Sequence, residues 1–172
     1  QGANVVMVDV SEGPLSETAK AVEALGKGTS MSCVCNVTKP AEVDAMVKAA
    51  TGRFGAIHCL WNNAGYQGAM VPAADYPLDD FQRVMDINVV GSFSVLRAVA
   101  RSMRETGTPG SIVNTASVAA LRGTPTMCAY VASKSALIGL TMSTAKDLAP
   151  YGIRVNAVSP ALIGPGFMWD RQ

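Results

Sequence analysis

Charged side chains are scarce in this chain of 172 residues. They make up 16% of the sequence, where a typical globular domain has about a quarter, and 14 basic residues nearly balance 13 acidic ones. A formal net charge of +1 without a basic cluster gives no electrostatic basis for binding nucleic acid. Because 49% of the residues are hydrophobic and 16 are glycine, we predict one domain over residues 1–172 with a large buried core.

Histidine is scarcer still, and this bears on metal binding. His58 is the only histidine, and the cysteines Cys33, Cys35, Cys59 and Cys128 lie in apolar segments. This set of residues does not match the ligand spacing of a zinc site, so no metal is expected. The sequence also has no run that could span a membrane and no secretory leader. Together with reduced thiols, this favours a cytoplasmic protein that has no membrane partner.

Apolar segments with strand and helix periodicity alternate along the chain. We predict strands over residues 4–10, 30–37, 57–61, 111–115 and 153–158, and helices over residues 16–25, 40–53, 78–104 and 126–148. The first strand is a continuous β-branched run, which is typical of a strand buried on both faces. Thr38 is expected to cap the second helix. Helical connections between strands require parallel pairing, so the sequence predicts an α/β, doubly wound sheet with helices on both faces.

Small and polar residues follow the predicted strands, where such sheets bind their ligands. They are Asp9, Asn36, residues 62–65, Ser117 and residues 160–164. A carboxylate at Asp9 can accept both hydroxyls of an adenosine ribose and repel a 2′-phosphate, which favours NAD over NADP. The alternative is that Asp9 only starts a turn or caps a helix.

A serine, a tyrosine and a lysine follow the fourth strand. Tyr130 and Lys134 are four residues apart and share one helix face, so the ammonium is expected to lower the pKa of the phenol. A phenol tuned in this way can exchange a proton with an alcohol, and Ser117 could hydrogen-bond the same oxygen. The alternative is an aromatic residue and a lysine on a helix surface.

Five motifs together resemble the short-chain dehydrogenase/reductase family. They are Asn62-Asn63-Ala64-Gly65, the helix residue Asn88, Ser117, Tyr130-x-x-x-Lys134, and the sequence IRVNAVSP at residues 153–160. The resemblance covers nearly the whole chain. It implies a Rossmann-type fold, NAD as the cofactor, hydride transfer to or from a small molecule, and a homo-tetramer.

The resemblance also implies a role for each site residue. Tyr130 would be the general acid/base, Lys134 would lower its pKa and hold the nicotinamide ribose, and Ser117 would steady the reacting oxygen. Asn88 would position a water that links the lysine to solvent. The residues expected to bind the cofactor are Asp9, Asn36, Val37, Asn63, Ala64, Gly65, Tyr130, Lys134, Pro160 and Ile163.

Further motifs at residues 62–69, 75–81, 87–93, 112–117 and 164–169 resemble bacterial NAD-dependent xylitol dehydrogenases, which interconvert xylitol and D-xylulose. We therefore expect a polyol or ketose substrate, in contact with Ser117, Gln67, Met127 and Met168. The alternative for the apolar members of this set is core or interface packing. Two other functions stay open: another short-chain reductase, such as one acting on 3-oxoacyl carrier protein, and a non-catalytic nucleotide-binding module.

Three departures from the family pattern carry expectations of their own. Asn36 stands where the family usually has an aspartate, and its amide oxygen is expected to accept from adenine. Ala161 replaces a glycine, which could strain the backbone after Pro160. The family's glycine-rich phosphate loop and first strand lie upstream of Gln1, and elements after Gln172 are also absent. The sequence therefore predicts an excerpt in which the strands at Val6 and Leu60 are not hydrogen-bonded to each other.

Overall fold

Parallel strands alternate with helices, as the periodicity predicts. The computed structural model describes residues 2–161 and 163. The strands are β1 (Val5–Asp9), β2 (Ser30–Val34), β3 (Cys59–Asn62), β4 (Gly110–Thr115) and β5 (Ile153–Val158). The α-helices are α1 (Glu12–Ala24), α2 (Pro40–Phe54), α3 (Leu78–Met85), α4 (Ser92–Glu105), α5 (Ala119–Arg122) and α6 (Cys128–Leu148). A π-helical segment (Asp86–Gly91) joins α3 to α4, and short 3-10 turns lie at Ala73–Asp75 and Ala149–Tyr151.

The strands form two parallel sheets, β1–β2 and β3–β4–β5. Val6 pairs with Met31, and Leu60 pairs with Ile112, so β1 and β3 are not hydrogen-bonded to each other. That part of the prediction is confirmed. Helices α4 and α6 pack against the face of β3–β4–β5 that contains the buried residues Ile112, Ile153 and Val155. Among the described residues, the opposite face is less covered, with Trp61 71% exposed.

Two local expectations are wrong, and both have a physical reason. The side chains of β1 are half-buried or exposed rather than buried on both faces, since within the described residues this strand is hydrogen-bonded only to β2. Thr38 does not cap α2. Its hydroxyl donates to the amide oxygen of Asn36, Lys39 takes the cap position, and Pro40 opens the helix as predicted.

The hydrophobic core joins the end of β2 to the helices and the larger sheet. Its largest fully buried members include Met103, Ile112, Ile153 and Val43, which come from α4, β4, β5 and α2. Burying side chains of this size stabilises the fold by about 1.5–3 kcal/mol each. This packing sets the position of α4, and with it the position of the π-helical segment that precedes it.

The predicted single helix over residues 78–104 contains this π-helical segment in its middle. Its fully buried members include Asn88, and Gly91 closes it. A Cβ atom on Gly91 would lie 2.7 Å from Cγ2 of Val37 and 3.3 Å from the carbonyl oxygen of Asp86. Close packing is therefore the reason for a glycine at this position. The backbone conformation does not require one, since the dihedral φ is an ordinary −62°. π-Helical turns within α-helices are frequent at functional sites.

We expect Gly91→Ala to lower the free energy of unfolding by about 1–3 kcal/mol, because the added methyl group overlaps buried Val37. The matched control is Gly139→Ala in α6, where a Cβ would have nothing within 4 Å. In the control, the free energy of unfolding should increase by about 0.5–1 kcal/mol, because alanine has a higher helix propensity than glycine. Chemical denaturation of the two variants checks the difference, and equal stabilities would contradict it.

Candidate active site

The start of α6 and the end of β4 bring three predicted catalytic residues together. Tyr130 is 9% exposed and Lys134 is 4% exposed, so the surface-pair alternative is wrong. Ser117 follows β4 and is also buried, and its hydroxyl interacts with the Tyr130 hydroxyl. The Ser117 oxygen also accepts a hydrogen bond of 3.2 Å from the backbone N–H of Ala119. The segment after β4 thus places the Ser117 hydroxyl next to the phenol of Tyr130 on α6.

The pKa of Tyr130 differs from the expectation. Burial raises it above the ordinary value of 10.0, and the interaction with Ser117 lowers it only in part. The Lys134 ammonium lies 5.7 Å from the centre of the Tyr130 ring and donates to the carbonyl oxygen of Thr115 at 2.7 Å. Burial lowers the pKa of Lys134 to about 8. The expected lowering of the phenol pKa by Lys134 is therefore not found in this structure, where burial is the main cause of the shift.

Asn88 is fully buried, and both hydrogens of its amide group are used. Its Oδ1 accepts from the N–H of Tyr66 at 2.7 Å, and its Nδ2 donates to the Tyr66 carbonyl oxygen at 2.8 Å. The second hydrogen on Nδ2 goes to the hydroxyl of Ser133, the neighbour of Lys134, at 2.9 Å. This side chain therefore has no hydrogen left to donate to a water, and its geometric effect is to hold the chain that follows β3.

The Asn62-Asn63-Ala64-Gly65 turn leaves β3 beside these groups. Asn63, Ala64 and Gly65 are exposed, and a Cβ on Gly65 would lie 3.5 Å from Nζ of Lys134. Asn62 is buried instead, and its Nδ2 donates to the carbonyl oxygen of Ser92 at 2.8 Å. The first asparagine of the motif therefore fixes the turn, while the other three residues face solvent next to the lysine.

Asp9 and Asn36 lie at the ends of β1 and β2, as predicted. Asp9 is exposed, and its Oδ1 accepts from the N–H of Ser11 at 2.8 Å, which is the turn role named as the alternative. Asn36 requires a correction. Its Oδ1 already accepts from the N–H of Thr38 at 3.0 Å and from the Thr38 hydroxyl at 2.8 Å. Both lone pairs are used, so the side-chain NH₂ is the group that Asn36 can offer a ligand.

The remaining predicted residues differ in placement. Val37 is buried against Gly91, so it reaches the π-helical segment that contains Asn88. The carbonyl oxygen of Pro160 accepts from the N–H of Val118 at 2.9 Å, beside Ser117. Ile163 is 70% exposed. Ala161 has no positive φ, so the strain expected from the replaced glycine is not found. Met168 lies outside the described residues.

Gln67 and Met127, two further residues expected to contact the substrate, are both buried. Met127 is 6% exposed and packs with Tyr130 and Ala119. It is therefore a packed residue, as the alternative states, and it also lies next to the phenol. Gln67 is 2% exposed, and its Oε1 has no hydrogen-bond partner among the described residues. A buried acceptor without a donor costs about 1–3 kcal/mol, so this oxygen is suited to a hydroxyl from a ligand.

The match to known proteins agrees with this geometry. Residues 1–172 match the family model described as short chain dehydrogenase. The chain belongs to the short-chain dehydrogenase family. It is 39% identical to levodione reductase of Leifsonia aquatica over 164 residues, which is 95% of this chain and 61% of the relative. It is 42% identical to a 3-alpha-(or 20-beta)-hydroxysteroid dehydrogenase of Mycobacterium tuberculosis over 163 residues, which is 95% of this chain and 60% of the relative.

Among solved structures, NAD+-bound xylitol dehydrogenase is similar, with a TM-score of 0.94 and 49% identity over 98% of this chain and 64% of that one. The predicted Rossmann-type family fold is therefore confirmed. The chain spans less than two thirds of the length of each of these relatives. Among the described residues, no group of three metal-ligating side chains is found, and no helix is long and apolar enough to cross a membrane.

The sequence reasoning did not single out Asp80, which bonds to the loop that follows the Gly65 turn. It accepts from the hydroxyls of Tyr66 and Tyr76 at 2.9 and 2.8 Å, and from the N–H of Ala69 at 2.7 Å. Burial raises the pKa of Asp80, but these hydrogen bonds and the Arg83 charge hold it below its usual range. Burial and the bond to Asp80 raise the pKa of Tyr76 to about 12. Sequence spacing carries no signal for the contacts of Asp80 with Tyr66 and Ala69, because these residues are 14 and 11 positions away and the path of the loop brings them together.

A groove of about 740 Å³ lies between the end of β2 and the α3 side of the π-helical segment, away from Tyr130. Its lining includes Asn36, Lys39, Asp86 and Val90. The groove contains one predicted adenine-side residue and none of the predicted catalytic residues. We therefore define the candidate site by the convergence of side chains and not by the size of a groove.

We expect Lys134→Met to raise stability at pH 7, because the wild-type protein buries a charged lysine there. The folded-state pKa of about 8 lies below the ordinary 10.5, so the unfolded chain binds more protons between these values. Wild-type stability should therefore rise relative to Lys134→Met as the pH increases from about 8 to about 10.5.

Thermal unfolding across this pH range measures the difference. The matched control is Lys146→Met, which replaces an exposed lysine near the other end of α6. Its melting temperature should differ from that of the wild type by the same amount at every pH in this range. A constant offset for Lys134→Met as well would contradict the buried-charge explanation.

Proposed function

We propose that the protein is an NAD-dependent alcohol dehydrogenase that transfers a hydride between nicotinamide and a polyol or ketose, with xylitol and D-xylulose as the leading pair. The observation that carries the proposal is the convergence of Ser117, Tyr130 and Lys134 beside Gly65. A non-catalytic module has no physical need to bury an ammonium and a phenol together. The cost of this burial argues for chemistry at the site.

Alcohol oxidation removes a proton from oxygen and a hydride from carbon, and NAD, when bound, is the hydride acceptor. Tyr130 takes the alcohol proton as general base, and returns it to the oxygen in the reverse direction. The Ser117 hydroxyl holds the reacting oxygen at the phenol. The base form of Tyr130 increases with pH, and burial moves this increase to higher pH because it raises the pKa. Alcohol oxidation should therefore be faster in alkaline solution.

Lys134 contributes charge and position. Its ammonium is fixed by the carbonyl of Thr115 and lies beside the Gly65 turn, where a ribose hydroxyl could approach without meeting a Cβ. Asn88 acts through this turn, because it holds both backbone groups of Tyr66. We therefore propose Asn88 as a positioning residue whose side chain orders the turn. A water held by Asn88 would have to donate to one of its oxygens, because both amide hydrogens are engaged.

We assign the cofactor surface to residues along the strand ends. Asp9 would bind the adenosine ribose with the carboxylate oxygen that the Ser11 turn does not use, and Asn36 would offer its NH₂ to adenine. Val37, Asn63 and Ala64 would line the adenosine side. Pro160 and Ile163 would lie on the nicotinamide side. The preference for NAD is supported by the similarity to NAD+-bound xylitol dehydrogenase.

The polyol assignment is supported by that same similarity and by the partnerless acceptor on Gln67. Met127 and Met168 would exclude water from the reacting carbon. Relatives named for a dione and for hydroxysteroids make cyclic ketones the second substrate class to test. We further propose a cytoplasmic homo-tetramer. Exposed apolar residues on α4 and α6, such as Phe93 and Met142, are suited to subunit contacts.

The decisive experiment follows NADH formation by full-length protein over a panel of xylitol, other polyols and hydroxysteroids. We expect xylitol to be oxidised with NAD, and Tyr130→Phe to lose at least about a thousandfold in kcat/KM, because the proton acceptor is removed. Activity on hydroxysteroids alone would overturn the polyol assignment. Activity retained in Tyr130→Phe would overturn the mechanism.

Cofactor choice gives a separate prediction. Replacing Asp9 by alanine together with Val10→Arg should shift the NAD/NADP preference toward NADP by about 10- to 100-fold in kcat/KM. The reason is that a 2′-phosphate then meets a guanidinium in place of a carboxylate. Glu12→Ala, which removes a nearby acidic residue at the start of α1, is the control and should leave the preference unchanged. An unchanged preference in the Asp9 variant would contradict the ribose assignment.

A further inference from the structure

The segment that follows the Gly65 turn is held by one carboxylate. Residues 66–76, here called the anchored segment, form a loop that leads into the helix containing Asp80. Both ends and the middle of the segment bond to Asp80, through the Tyr66 hydroxyl, the Tyr76 hydroxyl and the N–H of Ala69. The three bonds measure 2.7–2.9 Å, and because their common acceptor is a carboxylate they are charge-assisted.

Packing around the carboxylate leaves little freedom for this segment. Gly68 has a φ of +77°, and a Cβ there would lie 2.5 Å from the Tyr76 hydroxyl and 2.9 Å from Oδ2 of Asp80. The Arg83 guanidinium stacks 4.6 Å above the centre of the Tyr66 ring. The chain thus crosses directly over the carboxylate, and only glycine allows that approach.

The anchored segment also touches the chain that leads to the catalytic tyrosine. The N–H of Val71 donates to the carbonyl oxygen of Thr126 at 3.0 Å. Thr126 is the only described non-glycine residue with a positive φ, at 65°, and it immediately precedes Met127, which packs on Tyr130. A non-glycine residue in this conformation costs about 1–3 kcal/mol and persists only where its surroundings impose it. The hydrogen bond from Val71 is one such constraint.

We propose that Asp80 is a positioning residue for the substrate: it fixes the anchored segment, which places Gln67 and, through Val71 and Thr126, the wall beside Tyr130. The inference rests on the proposed dehydrogenase function, because it assigns this wall to alcohol recognition. Asp80 lies outside the predicted set of catalytic and cofactor residues. Replacing Asp80 should therefore change the KM for the alcohol and not the KM for NAD.

The test compares Asp80→Asn with Asp79→Asn, which alters the adjacent exposed carboxylate on the same helix. With xylitol, or with whichever panel alcohol gives NADH, we expect Asp80→Asn to raise KM for the alcohol about tenfold. KM for NAD should stay within about twofold and kcat within about threefold, because the lost contacts are charge-assisted hydrogen bonds in the segment alone. Asp79→Asn should match the wild type.

A purely structural role would lower the active fraction, and thus kcat, with the alcohol KM unchanged, and that result would overturn the proposal. If Asp80→Asn does not fold, Tyr76→Phe removes one of the three donors and leaves the carboxylate in place. It should raise the alcohol KM by a smaller factor, about twofold to fivefold. An unchanged KM in that variant would also overturn the proposal.

Hydrogen exchange separates this inference from the proposed function. Backbone amides of residues 66–76 should exchange faster in Asp80→Asn than in Asp79→Asn, whether or not the protein oxidises an alcohol. If no alcohol gives NADH while exchange changes as expected, the proposed function fails and the anchoring stands. If exchange is the same in both variants, the anchoring fails.

Discussion

The buried amide of Asn88 is the constraint on which the rest of the site depends. A side chain with no exposure must satisfy its own polar atoms, and Asn88 does so with both backbone groups of Tyr66 and with Ser133 on α6. These partners belong to the chain after β3 and to the helix that contains Tyr130 and Lys134. Moving the π-helical segment would therefore break bonds to both, so the turn after β3 and helix α6 hold a common position.

Burial gives the catalytic pair an electrostatic character that charge proximity alone does not predict. The pKa of Tyr130 is raised and that of Lys134 is lowered, so each group is pushed toward its neutral form. The rest of the fold must offset this cost. Lys134 therefore ionises closer to neutral pH than an ordinary lysine, whereas Tyr130 ionises further from neutral pH than an ordinary tyrosine.

The sequence predicted the elements well because their signals are local. Five strands and the main helices follow from apolar periodicity, and the ends of β3 and β4 follow from polar residues after apolar runs. The π-helical segment was not predicted, since one extra residue per turn barely disturbs a 3.6-residue pattern. Asn88 and Gly91 nevertheless marked the place as poor helix formers.

The site was predictable only where residue identity decides the chemistry. Ser117, Tyr130 and Lys134 do come together, but the direction of the Tyr130 pKa depends on burial, which no motif states. Likewise, the Asn36 oxygen looked available until the structure showed Thr38 using both lone pairs. Asp80 lies within the motif at residues 75–81, but that motif gives it no role, and as one of two acidic residues in the first turn of α3 it resembles an ordinary partner of the helix dipole.

One helical element connects these observations. Its α3 part contains Asp80, which holds the side chains of the anchored segment; its π-helical part contains Asn88, which holds the backbone of Tyr66; and Gly91 closes it against Val37. The predicted substrate side, the turn beside Lys134 and the predicted adenine side therefore share one rigid support. Because the three contacts follow each other within a dozen residues, a shift of this helix would displace all three together. A short, irregular stretch of helix is for this reason a more sensitive determinant of the site than any single strand of the sheet.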